Sequence, residues 1–113
     1  MIGVDLVYIK RFETLKENKS FLDKTFTKEE QVYIKEAGSS TMTIAGLYAA
    51  KEAFLKAIKK GLEYTELHNI EVYHIKGAPF IKCHFHDDII NNKTISLSIS
   101  HDGDYAMAAV LII

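Results

Sequence analysis

Length, composition and charge limit the kinds of protein that this chain can be. Its 113 residues suit one domain, covering residues 1–113, with a modest core that would benefit from oligomerisation. A hydrophobic fraction of 48% is enough for a packed interior. The formal net charge of -1 argues against nucleic-acid binding driven by bulk electrostatics, because no excess of lysine and arginine is present to displace counterions.

Cysteine usage and hydropathy indicate the compartment. Cys83 is the only cysteine, so no disulfide can form within the chain, and an intracellular setting is the simpler inference. The N-terminus lacks the pattern of a signal sequence, and nowhere do about eighteen apolar residues run together. We therefore expect a soluble, cytoplasmic protein without a membrane partner.

The N-terminal part predicts one strand and two helices. A short apolar start predicts a strand that fixes the position of Asp5. Apolar residues recur at helical spacing from Ile9 to Leu15, which predicts a first amphipathic helix. Thr27 and Glu30 form a capping-box pattern, so a second helix is expected from there to about residue 38.

The middle of the chain predicts a long central helix from about Thr41 to Lys60, with Gly61 as its C-cap. Its buried stripe is marked by six apolar residues at helical spacing: Ile44, Leu47, Tyr48, Phe54, Leu55 and Ile58.

The second half changes to strand-like alternation. Strands are expected on both sides of a Gly77-Ala78-Pro79 connection, and another where apolar residues alternate with serines from Ile95 to Ser100. The Asp102-Gly103 turn leads to a last segment, residues 106–113, that is apolar on both faces. Burial against a helix and against another subunit would explain that segment. Helices first and antiparallel strands later predict an α+β fold, with the long central helix and further N-terminal helices packed on a small, mainly antiparallel sheet.

Two carboxylates and two lysines, Lys51 and Lys56, suggest phosphate chemistry. Asp5 on a strand and Glu52 on a helix can share a divalent cation such as Mg²⁺, which takes oxygen ligands and completes its shell with waters and substrate phosphates. Lys56 follows Glu52 by one helical turn on the same face. The competing interpretation is an exposed helix pair worth about 0.3 to 0.5 kcal/mol, with Asp5 only satisfying local backbone amides.

Four sequence blocks decide between these interpretations by their order and spacing. The chain resembles the holo-acyl-carrier-protein synthase family, the small bacterial 4'-phosphopantetheinyl transferases. The blocks are Gly3-Val4-Asp5 with Arg11 six residues later, Phe26-Thr27-Lys28-Glu29-Glu30, the run from Ala49 to Ala57, and Ser98-Ile99-Ser100-His101 followed by Tyr105-Ala106.

The resemblance implies the phosphopantetheinyl transferase fold and an enzyme. Such an enzyme moves 4'-phosphopantetheine from coenzyme A to a serine of apo acyl carrier protein, releasing 3',5'-ADP, in support of fatty acid biosynthesis. It also implies Mg²⁺, with Mn²⁺ as a possible substitute, and a homotrimer with active sites at subunit interfaces.

The resemblance also implies roles for individual residues. Asp5 and Glu52 would bind the metal and, with Lys56, form the catalytic set. The base that takes the serine proton stays open among Glu52, Asp5 and a metal-bound water. Arg11, the only arginine, would hold the acidic carrier protein together with Lys10 and Leu15. Coenzyme A would be contacted by Lys51, Lys56, Lys59, Lys60, Gly61, Gly77, Pro79, Ser100 and His101.

Two positions depart from the family pattern. Leu47 stands where an arginine usually precedes the aromatic residue in the family, so the cation that usually contacts the nucleotide 3'-phosphate is missing. Lys59-Lys60 replaces part of a glycine-rich passage of the family, and we hypothesise that Lys59 or Lys60 supplies the missing positive charge.

Two further classes of function compete with the enzyme. The first is a non-catalytic module of the same fold that binds carrier protein or nucleotide, against which the retained catalytic set argues. The second is a structural metal site at His84 and His86, with Cys83 and Asp87 nearby, although no second ligand pair typical of zinc sites follows.

Overall fold

Two antiparallel sheets and three α-helices make up the structure, a computed structural model that describes residues 1–113. The strands are β1 (Ile2–Tyr8), β2 (Ile70–Ile75), β3 (Ala78–Cys83), β4 (Ile95–Asp102) and β5 (Tyr105–Ile112). The helices are α1 (Lys19–Thr25), α2 (Lys28–Glu36) and α3 (Thr41–Ala57), and short 3-10 turns cover Ile9–Phe12, Leu15–Glu17 and Leu67–Asn69.

The strands form a three-stranded sheet in the order β1-β5-β4 and a separate hairpin of β2 and β3. All pairings are antiparallel, and β5 pairs with both of its neighbours along its whole length. Helix α3 lies on one face of the three-stranded sheet. The α+β prediction is confirmed.

Close contact between β1 and α3 depends on a residue without a side chain. A Cβ atom at Gly3 would lie 2.0 Å from the carbonyl oxygen of Ala53 and 2.5 Å from the amide nitrogen of Ala57. Small residues on both elements therefore let the backbones approach directly. This approach brings Asp5, two residues further along the same buried face of β1, beside α3.

The other face of the three-stranded sheet carries large apolar side chains that no part of the chain covers. Buried and outward-facing side chains alternate along strand β5. Every second residue, such as Ala108 and Val110, is buried, and the residues between them face outward. The outer sheet face consists of Ile2, Val4, Leu6, Tyr8, Tyr105, Met107 and Leu111, all exposed.

The N-terminal helices differ from the prediction. The stretch from Ile9 to Leu15 forms 3-10 turns instead of an amphipathic α-helix. Helix α1 was not predicted, although Asn18 caps it by accepting a hydrogen bond from the Phe21 amide at 3.0 Å. In the stretch from Ile9 to Asn18, amides donate to carbonyls three residues earlier, as the Glu13 amide does to the Lys10 carbonyl at 3.1 Å, so the turns are of the 3-10 kind.

The ends of α2 and α3 have clear causes. The predicted capping box is present: the Glu30 amide donates to the Thr27 hydroxyl at 3.1 Å, and the Thr27 amide donates to the Glu30 carboxylate at 2.8 Å. Helix α3 ends at Ala57, earlier than predicted. Lys59, with φ of 60°, takes the left-handed position assigned to Gly61, and the Lys60 amide donates back to the Leu55 carbonyl at 2.9 Å.

The hairpin turn also lies one residue earlier than predicted. Lys76 and Gly77 have φ of 51° and 84°, as a two-residue turn between right-twisted strands requires. Ala78 and Pro79 belong to β3, where Pro79 pairs with His74.

None of the three helices combines the length and the apolar character needed to cross a bilayer.

Candidate active site

The predicted catalytic residues meet where β1 crosses α3. Asp5 is buried, and its Oδ1 accepts a hydrogen bond from the Lys56 ammonium at 2.8 Å. Its second oxygen, Oδ2, is buried without any hydrogen-bond partner. A buried carboxylate oxygen without a donor is costly, so Oδ2 is suited to bind a cation.

Glu52 is half-buried beside Asp5, and the two acids perturb each other. Burial is the main cause that raises the pKa of Glu52 from 4.5 to about 7, and the neighbouring Asp5 carboxyl acts in the same direction. Arg11 and Lys56 act in the opposite sense. Near neutral pH, two adjacent carboxylates repel each other unless a proton or a cation lies between them. This arrangement is typical of acids that bind a metal ion.

Lys56 supplies the positive charge at the open side of this pair. Its side chain is exposed, and the hydrogen bond to Asp5 raises the pKa of its ammonium. A cleft of about 80 Å³ adjoins it, lined in part by Glu52, Lys60 and Gly61. The structure thus brings five predicted site residues to one place, and an anion entering the cleft would meet Lys56 and Lys60.

The donor set fits a hard divalent cation. Asp5 and Glu52 offer carboxylate oxygens, one of which has no hydrogen-bond partner. No histidine, cysteine or further acidic side chain lies close enough to add a third protein ligand. Mg²⁺ characteristically binds through one or two carboxylates and keeps its other positions for water and phosphate oxygens. These residues therefore suit Mg²⁺ better than a structural zinc ion.

Lys51, predicted to contact coenzyme A, lies in the core instead. Its side chain is fully buried and pairs with Glu30 at 2.8 Å, and it also donates to the carbonyls of Leu67 and Ile70. Burial lowers the pKa of Lys51 and raises that of Glu30, while their mutual attraction opposes both shifts. All three ammonium protons are used within the chain, so the assignment of Lys51 to substrate is corrected.

A second cleft gathers most of the remaining substrate residues. This histidine cleft, of about 290 Å³, lies between α2, the start of α3, the hairpin and the end of β4. It is lined by Tyr33, Met42, Thr43, Gly46, Leu47, His74, Gly77, Pro79, Ile99 and His101. Gly77, Pro79 and His101 were predicted; Tyr33 and His74 were not, because no local pattern separates them from other surface aromatic residues.

Two predicted substrate residues lie away from the histidine cleft. Ser100 pairs with Met107 on the outer sheet face, because successive strand residues face opposite sides and His101 takes the inner one. Lys59 lies beyond the end of α3, and that end is about 15 Å along the helix from Leu47. Within one chain, Lys59 and Lys60 therefore do not replace the arginine that Leu47 lacks; only a neighbouring subunit could bring them there.

Of the predicted carrier-binding residues, Arg11 lies near the acidic pair. Arg11 and Lys10 are exposed in the first 3-10 turn, and Leu15 is half-buried in the second. The Arg11 guanidinium donates to the Tyr48 hydroxyl at 3.1 Å and lies 4.9 Å from the centre of that ring. Arg11 is thus held close to Glu52, which the sequence did not reveal.

The alternative zinc site is not assembled. His84 pairs with Glu71 at 2.6 Å, and His86 pairs with Asp88 at 2.9 Å. No cluster of three potential ligands exists around them.

Comparison with known proteins identifies the family. The model of the 4'-phosphopantetheinyl transferase superfamily matches residues 1–110. The chain belongs to this superfamily. The predicted resemblance is confirmed, and the match spans both clefts of the transferase domain.

Individual relatives within the superfamily agree. The holo-[acyl-carrier-protein] synthase of Campylobacter lari is 40% identical, over 99% of this chain and 97% of the relative. That of Caldicellulosiruptor saccharolyticus is 36% identical, over 97% and 93%.

Solved structures of the same kind of enzyme share the fold. The Helicobacter pylori holo-[acyl-carrier-protein] synthase in complex with coenzyme A has a TM-score of 0.86 and 32% identity, over all of both chains. The Bacillus anthracis enzyme in complex with CoA (3',5'-ADP) has a TM-score of 0.82 and 29% identity, over 98% of this chain and 93% of the other.

Proposed function

We propose that this protein is a holo-acyl-carrier-protein synthase. It transfers 4'-phosphopantetheine from coenzyme A to a serine of apo acyl carrier protein, giving the holo carrier and 3',5'-ADP, in support of fatty acid biosynthesis. The observation that carries the proposal is the meeting of Asp5, Glu52 and Lys56, with Asp5 Oδ2 unpaired. Relatives that carry this enzyme's name, and solved relatives with bound coenzyme A, support the choice of substrates.

The chain's own residues account for the main requirements of the reaction. The serine oxygen forms a bond to the β-phosphorus while the bond from that phosphorus to the 3',5'-ADP oxygen breaks. Asp5 and Glu52 would hold Mg²⁺, which neutralises charge on the phosphate oxygens when bound. Lys56, fixed by Asp5, neutralises pyrophosphate charge and aligns it beside the acids.

The carrier protein is proposed to dock at the 3-10 turn that bears Lys10 and Arg11. Carrier proteins are acidic around the modified serine, and both cations face solvent, with Arg11 near Glu52. Leu15 offers apolar contact next to them. Charge complementarity of this kind steers encounter even when the net charge is near zero.

Assembly into a homotrimer through the outer sheet face is part of the same proposal. Its seven large apolar residues lie together on β1 and β5, and a contiguous exposed apolar face of this kind marks an interaction surface.

A cytoplasmic setting agrees with the unpaired Cys83, whose burial raises the thiol pKa to about 11 and keeps it unreactive.

Intact-mass analysis tests the reaction directly. Apo acyl carrier protein incubated with the protein, coenzyme A and Mg²⁺ should gain one phosphopantetheine. The gain should disappear with EDTA or in Glu52→Ala, and persist in Glu36→Ala, a matched change at an exposed acid outside the site. Coenzyme A binding without transfer to several carrier proteins would instead support the non-catalytic module.

A further inference from the structure

The two acids of the active site are held differently. Oδ1 of Asp5 accepts a hydrogen bond from Lys56 at 2.8 Å, which fixes that carboxylate and leaves Oδ2 for a cation. No lysine, arginine or histidine forms a salt bridge with Glu52. Side chains that bind a metal are commonly oriented by a hydrogen bond from a neighbouring group. The residues around Glu52 therefore decide how precisely it can present an oxygen to an ion.

Tyr48 is a polar neighbour of Glu52 on the same face of α3. It precedes Glu52 by four residues, and Lys56 follows Glu52 by the same interval, so the three side chains form one row along the helix. Burial raises the pKa of the Tyr48 hydroxyl above its ordinary value of 10, and the negative charge of Glu52 is the next cause. The hydroxyl thus keeps its proton at neutral pH and lies close enough to the carboxylate to be affected by its charge.

Arg11 holds the oxygen of this hydroxyl. Its guanidinium donates to the Tyr48 oxygen at 3.1 Å, and this is the one hydrogen bond that the hydroxyl makes. A tyrosine hydroxyl can accept one hydrogen bond and donate another, so the O–H of Tyr48 still has a hydrogen bond to give. Glu52 is the only acid among the groups that shift the pKa of Tyr48. Its carboxylate is therefore the acceptor to expect.

The Tyr48 ring is itself firmly placed. It is 5% exposed and packs against Phe12 and Phe21, with ring centroids 5.1 Å and 6.4 Å away. Side chains packed in a protein core have little freedom to move, so the position of the hydroxyl is set by the core. The packing of the ring does not require the hydroxyl, because a phenylalanine would fill the same space. The oxygen is thus available for a role in the site.

We propose that Tyr48 is a positioning residue for Glu52: its hydroxyl, held by Arg11, donates to one oxygen of the Glu52 carboxylate and leaves the other oxygen for Mg²⁺. Each of the two acids then has one oxygen fixed by a protein donor, which is Lys56 for Asp5 and Tyr48 for Glu52. This inference rests on the proposed function for the role of Glu52 as a metal ligand.

Titration with Mn²⁺, followed by the EPR signal of the free ion, tests the inference without requiring transfer. Tyr48→Phe keeps the ring and changes no charge, so a change in cation affinity reports the lost hydrogen bond. The Kd for Mn²⁺ should rise about tenfold, as is typical when a group that orients a metal ligand is removed. Tyr73→Phe, which removes a hydroxyl from a ring stacked on Phe80 in the hairpin, is the matched control and should bind Mn²⁺ as the wild-type protein does.

The Mg²⁺ dependence of transfer separates positioning from a structural role. In Tyr48→Phe, the Mg²⁺ concentration that gives half-maximal transfer should rise about tenfold, and saturating Mg²⁺ should restore kcat to nearly the wild-type value. The KM for the carrier protein should stay unchanged. A Tyr48→Phe protein with a lower Tm or a lower kcat at every Mg²⁺ concentration, but with the wild-type Kd for Mn²⁺, would overturn the inference.

The same titration distinguishes this inference from the proposed function. A wild-type protein that binds no Mn²⁺ would overturn the role of Tyr48, because Glu52 would then have no metal to hold. Mn²⁺ binding without any transfer by the wild-type protein would overturn the proposed function, while the Kd values of the wild-type protein and Tyr48→Phe would still decide the role of Tyr48.

Discussion

Gly3 lies directly against the carbonyl of Ala53, so that no side chain separates strand β1 from helix α3. We expect Gly3→Ala to destabilise the fold by about 3 kcal/mol, because the added methyl group meets backbone atoms that cannot rotate away. Thermal denaturation should show a fall in Tm of about 10 °C or more. Gly61→Ala is the control, since a Cβ there meets only the flexible end of Glu63. Equal Tm values for the two variants would contradict this account.

Lys51→Met should destabilise the protein by about 3 to 5 kcal/mol, because it leaves the Glu30 carboxylate buried without its partner. Urea denaturation measures the loss. The double variant Lys51→Met, Glu30→Gln should lose less than the sum of the two single changes. Lys59→Met, at an exposed position, should cost little. A Lys51→Met protein of normal stability but poor coenzyme A binding would restore the original assignment of Lys51 to substrate.

Stability without metal should fall as the pH rises from about 4.5 to about 7. The pKa of Glu52 is about 7 in the folded state against an ordinary 4.5, so between these values the folded protein holds a proton that the unfolded chain has released. The stabilisation that protonated Glu52 contributes to the folded state is complete below pH 4.5 and is lost as the pH rises through 7. Melting curves in EDTA at several pH values measure it.

Glu52→Gln should remove this part of the pH dependence, whereas Glu36→Gln should not. Mg²⁺ added at pH 8 should stabilise the wild-type protein, because the ion binds the carboxylates in their charged form. An unchanged slope in Glu52→Gln would show that another group titrates.

Leu6→Lys should convert the proposed trimer to single chains, because it places a charge in the apolar outer sheet face. Light scattering after gel filtration gives the mass. Val32→Lys is the matched control, since Val32 is similarly exposed, 55% against 61% for Leu6, but lies on α2. A wild-type protein that already runs as a single chain would refute the assembly.

Lys10→Glu should weaken the interaction with acyl carrier protein, raising its KM about tenfold at low salt, while the KM for coenzyme A stays constant. Arg11→Glu should do the same and also slow transfer, because Arg11 bonds to Tyr48 and helps keep the pKa of Glu52 down. Lys93→Glu, at an exposed lysine in the loop between β3 and β4, is the control. Equal KM values for the carrier protein in all three variants would refute the proposed docking site.

Local signals in the sequence were sufficient where an element depends on neighbouring residues. The capping box of α2 and the alternation of β4 are of this kind. The first predicted helix failed because apolar spacing alone does not separate an α-helix from successive 3-10 turns. The position of Lys51 was predictable: it falls four residues after Leu47 and four before Leu55, inside the apolar stripe of α3. The ion pair with Glu30 was not predicted, because the capping box already gave Glu30 a role at the start of α2.

Contacts between distant segments could not be predicted in the same way. The meeting of Asp5, Glu52 and Lys56 followed from family resemblance, since no spacing rule relates a strand at the N-terminus to a helix fifty residues later. The histidine cleft joins α2, the hairpin and β4, so Tyr33 and His74 become neighbours only through the fold.

Lys51 and Glu52 are consecutive in α3 but serve opposite sides of it. Lys51 anchors the start of the hairpin through the Ile70 carbonyl, and Glu52 meets Asp5 on β1. Helix α3 therefore acts as a rigid spacer: the wall that carries His74 and the strand that carries Asp5 are both fastened to it. The spacing between the acidic pair and the histidine cleft is therefore set by the fold before any ligand arrives.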